Sequence, residues 1–325
     1  MDRPATYILV ALGSLILVAP SRADEQNTPG TGSALSSRIF YPGVCPRTIP
    51  GADSSAAAPQ APRPDSAINP ARLSLVGGAL LGSMVAIHFY QQSGWWKDNR
   101  TPFHVQEDLV YGLTVDKIGH FYGAYLLEFF ISRSLRWANV PEETGVWIGS
   151  GGALLFQTYV EVEDGFSAWG FDRVDFASDV AGAAWPVGRY YVPYLRNFDL
   201  KLSYHSSDLL GNTGGTGFKG QKHLIIDDYE GQTFWMSVKI RHLIPESLRR
   251  YWPEFLCVAV GYGAREVAGP NPHRVFFLAP DLDMTKVIPH ESGFLKSLGE
   301  LLNFIHLPLP AVQFSPGAIW YGLYF

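Results

Sequence analysis

The 325-residue sequence is poor in charge, with Asp, Glu, Lys and Arg at 17% of it, against the ~25% usual in soluble globular chains. It also has no basic excess. The formal net charge is −5, and recognition of phosphate needs a positive footprint, so no nucleic-acid partner is expected. Cysteine is scarce: Cys45 and Cys257 are the only two, enough for at most one disulfide and not spaced as a zinc or thiol-redox motif. There is no G-x-S-x-G elbow and no H-E-x-x-H pair, and the Gly-rich stretch at 211–220 (GNTGGTGFKG) lacks the G-K-S/T ending of a phosphate-binding loop. These absences count against serine-hydrolase, zinc-protease and nucleotide-binding chemistry. What is abundant is apolar and aromatic: 47% hydrophobic residues, with 16 Tyr, 20 Phe and 9 Trp. Such a composition implies contact with lipid, or a large core under little solvated surface.

Residues 1–23 have the anatomy of a secretory signal peptide. Arg3 precedes an apolar run from Tyr7 to Ala19, and Ser21-Arg22-Ala23 supplies small residues at the cleavage positions before Asp24. No cysteine sits at that point, so lipoprotein processing there is not supported. An exported protein of a bacterial cell envelope is expected: periplasmic, membrane-associated, with the outer membrane a candidate location. Residues 24–71 are rich in Pro, Ser, Ala and Gly, a composition that buries too little apolar surface to offset the entropy of ordering. They read as a disordered linker.

Residues 72–195 hold four apolar segments, at Leu73–Tyr90 and about 115–137, 146–160 and 174–192. The first has about the minimum length to span a bilayer and places Gly78 and Gly82 four apart, a spacing that permits close helix approach. The other three carry ionisable residues. Asp116 opens the second segment as an expected N-cap, its carboxylate meeting free backbone N–H groups. Lys117 and His120 follow, three apart on one face. Gln157, Glu161 and Asp164 share a face in the third, with Gly165 as the stop. Asp175 and Asp179 lie one turn apart in the fourth. In an up-and-down arrangement the start of the second segment, the end of the third and the start of the fourth meet at one level.

The residues DKIGHF at 116–121, EVED at 161–164 and DFASDVAGA at 175–183 resemble, in that order, the YfiM-like family of predicted periplasmic lipoproteins. The resemblance spans roughly residues 95–195, and VanZ-like membrane proteins show a more distant similarity. It implies an envelope location and a polar cluster of Asp116, Lys117, His120, Glu161, Asp164, Asp175 and Asp179, without naming a reaction. The sequence departs from the lipoprotein members in lacking a lipobox cysteine and in its long C-terminal half.

Residues 196–325 read as strand-rich. Alternation marks 200–205, and strands are expected at 254–265 and 275–282, with a mixed stretch at 233–243. Helical periodicity runs from Gly293 to Ile305, and an aromatic strand closes the chain at 318–325. A terminal aromatic strand resembles the last strand of an outer-membrane barrel, but four or five strands fall short of the ~8 such a barrel needs.

The expected fold class is therefore α+β, a Gly/Ala-rich four-helix membrane-associated bundle followed by a strand-rich region. Two functions follow from different classes. In the first the polar cluster fixes helix packing or binds a ligand, with membrane lipid, an envelope protein or a lipid-like molecule as partner. In the second it is a catalytic centre acting on a lipid or cell-wall precursor. His120, Asp175 and Asp179 would be the acid–base candidates, and His120, Glu161, Asp164 and Asp179 the ligands of a divalent cation. Mostly oxygen donors suit Mg, Mn or Ca.

Overall fold

A computed structural model describes residues 67–97, 100–107, 109–212 and 223–325. The leader, Cys45 and most of the Gly-rich stretch lie outside these residues. Among the described residues four long helices come first: α1 Pro70–Gln91, α2 Val115–Trp137, α3 Glu142–Gly165 and α4 Arg173–Tyr191. They are followed by strands β1 Phe198–Tyr204, β2 Gln232–Val238, β3 Leu256–Arg265 and β4 His273–Leu282. Helix α5 Gly293–Leu302 then leads to β5 Leu309–Ser315 and β6 Ile319–Tyr324. The six strands pair in chain order, every neighbour antiparallel.

Helices plus one antiparallel sheet make the fold α+β, but the bundle differs from the expected four helices. Helices α2, α3 and α4 pack on one another. Small residues make this possible. Ala124, Ala153 and Ala183, one from each helix, form a buried cluster, and Gly182 sits where a Cβ would come within 2.2 Å of the Phe121 carbonyl oxygen. Helix α1 instead lies outside. Of its residues only Val76 and Gln91 are buried, with Val76 packing on Ile131 and Leu135. Gly78 and Gly82 have nothing within 4 Å of an added Cβ, so no helix among the described residues uses their small-residue face.

The sheet is strongly curled. Strands β2 and β6 are four spacings apart, roughly 19 Å on a flat sheet at ~4.8 Å per strand. Yet Thr233 Oγ1 of β2 lies 2.9 Å from Tyr324 Oη of β6, and the Trp235 and Tyr324 rings are 5.8 Å apart. Gly261 allows this, because a Cβ there would stand 2.7 Å from the Trp235 ring. The concave side holds buried charge. Lys201 meets Asp281 at 2.7 Å, Ser237 donates to Asp281 at 2.5 Å, and His306 meets Asp281 at 3.0 Å while stacking on Trp235. Cys257 is also buried there, as a free thiol.

The outer edge of β1 is taken by the segment after α5. Leu202 N–H donates to Phe304 O at 2.9 Å and His306 N–H to Leu202 O at 3.0 Å. One core then joins bundle and sheet: Tyr122 and Tyr125 of α2 pack with Leu200, Phe234 and Phe304. A charged knot at the seam adds to it, with Asp199 of β1 meeting Arg189 of α4 at 2.6 Å and Lys239 at 3.1 Å. Burial alone would raise the Asp199 carboxyl, but Lys239, Arg189 and Lys201 hold it below the usual range.

The close approach of α2 and α4 gives a paired test by thermal unfolding. Gly182→Ala is expected to destabilise the protein by roughly 1–3 kcal/mol through overpacking against backbone. Gly151→Ala, at a helical glycine with open space around it, is expected to be neutral or to stabilise by up to about 1 kcal/mol. Equal effects at the two positions would contradict the packing described.

Candidate functional site

The start of α2 sets the site. Gly112, Leu113 and Thr114 all have positive φ (55°, 52° and 72°), a conformation costly for the two non-glycine residues. Two tyrosines from the sheet half secure the turn. The Tyr229 ring covers Gly112, where a Cβ would meet it at 2.7 Å. Tyr262 donates its hydroxyl to Leu113 O and lies 2.8 Å from Thr114 Oγ1. The helix N-cap is Thr114, with no side-chain capping bond. Asp116 is therefore not the cap expected of it. It stands in the first turn, where its carboxylate accepts from Tyr229 Oη at 2.5 Å and pairs with Lys117 at 3.2 Å.

One turn of α2 brings two cationic side chains into the bundle. Lys117 Nζ lies 2.7 Å from Asp175 Oδ2 and 2.8 Å from Asp172 Oδ2. Asp172 is also the true N-cap of α4, accepting from Val174 N–H at 2.7 Å. The His120 ring lies between two carboxylate pairs. Its Nδ1 is 3.1 Å from Asp179 Oδ1 and 3.5 Å from Glu161 Oε1, and its Nε2 is 3.8 Å from Asp116 Oδ1 and 3.9 Å from Asp175 Oδ2. Gln157 Nε2 donates to Asp179 Oδ1 at 2.8 Å. Glu161 Oε2 accepts from the Asp172 N–H at 3.2 Å. Asp179 is 0% exposed and Glu161 2%, yet Asp179 Oδ2 and Asp175 Oδ1 have no hydrogen-bond partner.

Six of the seven residues expected to cluster thus converge. Asp164 does not join them; its Oδ1 accepts from Trp96 Nε1 at 2.7 Å. Three residues along the helix from Glu161, it has turned away to the segment after α1, although its charge still reaches Glu161. Two members were not expected. Asp172 carried a readable signal, since it stands immediately before the helical pattern of α4. Tyr229 carried none, because it is 113 residues from Asp116 in sequence.

Among the described residues, five carboxylates, of Asp116, Glu161, Asp172, Asp175 and Asp179, thus gather around the cationic side chains of Lys117 and His120. Protons respond to that excess of negative charge. Burial, with the neighbouring carboxylates, pushes Glu161 from 4.5 to about 9. Burial and Asp116 push Asp175 from 3.8 to about 7. Burial would lower the imidazole of His120, but its bond to Asp179 and the charges of Asp116, Asp175 and Asp179 raise it well above 6.5. Lys117 is likewise held above its usual range by the acids around it, against its burial.

Residues 106–191 match the model of a family described as predicted periplasmic lipoprotein (DUF2279). The match covers about a quarter of the chain and includes α2, α3, α4 and every member of the cluster except Tyr229. It agrees with the exported, cell-envelope location expected from the leader. Comparison with curated proteins and with solved structures finds no match.

The proton uptake has a sign that stability measurements can check. A histidine with a raised folded value stabilises fully below its unfolded value, and loses that as pH rises through the folded one. Carboxylates with raised values act in the same direction: the folded state binds the extra proton, so stability falls from pH 4.5 to about 9 for Glu161 and from 3.8 to about 7 for Asp175. Metal-free protein is therefore expected to be less stable to urea at pH 8.5 than at pH 5, by on the order of 2 kcal/mol. Glu161→Gln should reduce that slope; an unchanged slope would contradict the proton uptake assigned to Glu161.

Proposed function

We propose that this cell-envelope protein uses its helical bundle to bind a divalent cation at His120, Glu161 and Asp179. The observation that carries the reading is the excess of buried carboxylate together with the unpartnered Asp179 Oδ2. A buried carboxylate oxygen without a partner costs free energy, and a cation meets that cost directly. Ligand atoms of His120, Glu161 and Asp179 come within 4.8 Å of one another. Adjacent ligands of an octahedral ion with bonds of ~2.1 Å lie roughly 3.0 Å apart, close to the 3.1 Å and 3.5 Å of the Nδ1 contacts. A second set, Asp116, His120 and Asp175, uses the other face of the same ring. One imidazole among oxygen donors favours Mn²⁺ over structural zinc. The ion and the protons compete for the same atoms, so binding releases protons and tightens as pH rises. His120, Glu161 and Asp179 all lie within the segments that carry the YfiM-like resemblance, which supports reading the motif as a binding motif.

Titration calorimetry of the full chain with Mn²⁺ at pH 8 tests this. One ion per chain is expected, with Asp179→Asn losing at least about tenfold in affinity, the scale of a lost ligand or supporting group. Asp164→Asn, outside the triad, should keep affinity near that of the unmodified chain. Absence of binding by the folded unmodified chain, or equal losses from both substitutions, would overturn the reading.

A further inference from the structure

The curled sheet carries apolar side chains on both faces. Its concave side buries Lys201, Asp281 and His306 beside a core of Trp235, Val275 and Phe277, while its convex side is apolar along one row that crosses all six strands. Pairing register aligns Leu200, Met236, Val260, Leu278, Val312 and Trp320, one from each strand. Leu200 lies in the core shared with α2, but the row then runs into the open. Val260 is 45% exposed, Leu278 48% and Trp320 68%. Leu323 and Phe314 extend the exposed patch beyond the row. An apolar surface of this continuity marks an interaction site.

The border of this face is of a different kind. The segment that enters β3 exposes Leu248, Tyr251 and Phe255, with the Arg250 guanidinium 4.6 Å from the Tyr251 ring. Arg241, Arg249 and Arg250 outnumber Glu246 and Glu254 there. An apolar band followed by aromatics and arginines matches the depth profile of a bilayer, hydrocarbon first and anionic headgroup at its edge.

We propose that the convex face of β3 to β6 lies in the hydrocarbon of a lipid bilayer, with the Arg241–Phe255 segment at the anionic headgroups. Curvature decides against a second copy of this chain as occupant. Two convex rigid faces meet only along a line, whereas lipid conforms to either. The sheet is not a closed pore: β1 and β6 do not pair, and the edge of β1 is filled by Phe304–His306. It is an open, curled sheet that contacts lipid on one side. This inference is independent of the cation site.

The test uses the full chain with Cys45→Ser and the buried Cys257 retained. A bimane fluorophore is placed at Leu278→Cys or, as control, at the exposed loop position Asp208→Cys. Vesicles of phosphatidylethanolamine and phosphatidylglycerol are added, and quenching by nitroxide on the acyl chain is compared with quenching by aqueous iodide. At position 278 the lipid quencher is expected to act several-fold more strongly than iodide, with the order reversed at 208. Omitting phosphatidylglycerol should weaken vesicle binding, and Arg249→Gln with Arg250→Gln should remove that dependence. Iodide dominating at 278 would overturn the proposal. So would protection of position 278 from both quenchers, the outcome expected of a protein partner or a second copy.

Discussion

The structure of the bundle depends on an imidazole held among buried acids. His120 can stand between Asp179, Glu161, Asp116 and Asp175 only because α2, α3 and α4 come together at one level. They come that close because Gly182 and three alanines keep side-chain volume out of the way. Burying like charges together is costly, and Lys117 with His120 offsets only part of it. The remaining charge is met by protons on Glu161 and Asp175, or by a cation. Packing and the proposed cation binding are thus two aspects of one electrostatic constraint.

The sheet half completes the site. Tyr229 orients Asp116, and Tyr262 holds the carbonyl of Leu113 in a turn that the backbone would otherwise disfavour. The Asp199 knot and the Phe304 ring, packed on Tyr125 and Phe129, fix α2 and α4 against β1. A change in the second half of β3 or in the loop before β2 can therefore reach the cluster through two tyrosines. This gives the long C-terminal region a physical connection to the motif-bearing helices, while the convex row continues past that shared core into exposed Val260, Leu278 and Trp320.

Much of the bundle was legible in the sequence because its signals are local. The second helix begins at Val115 and ends at Trp137 as its apolar period indicates, and the spacing of Asp175 and Asp179 places both on the inner face. Helical spacing misled in two places. Asp164 shares a face with Glu161, but the indole of Trp96, brought by the chain after α1, takes its carboxylate. Asp116 has a capping residue's chemistry, but the left-handed turn at 112–114 moves the cap to Thr114. In the C-terminal half β5 was missed. Pro308 and Pro310 interrupt its pattern, and its pairing with β4 passes through an irregularity at Phe276 and Phe277. The curl of the sheet, which closes its concave face over a buried core, arises from contacts such as Thr233 with Tyr324 that no local pattern encodes.

The most direct test of the central claim is a crystal structure of the full chain grown with Mn²⁺ at pH 8, with anomalous scattering recorded at the manganese edge. The expected result is one strong peak bounded by His120, Glu161 and Asp179, with the formerly unpartnered Asp179 Oδ2 at roughly 2.1–2.2 Å from it, the bond length of a small divalent ion to oxygen. A structure with no anomalous peak there, and with His120 still hydrogen-bonded to Asp179 at that pH, would show that protons alone balance the buried charge and would contradict the account.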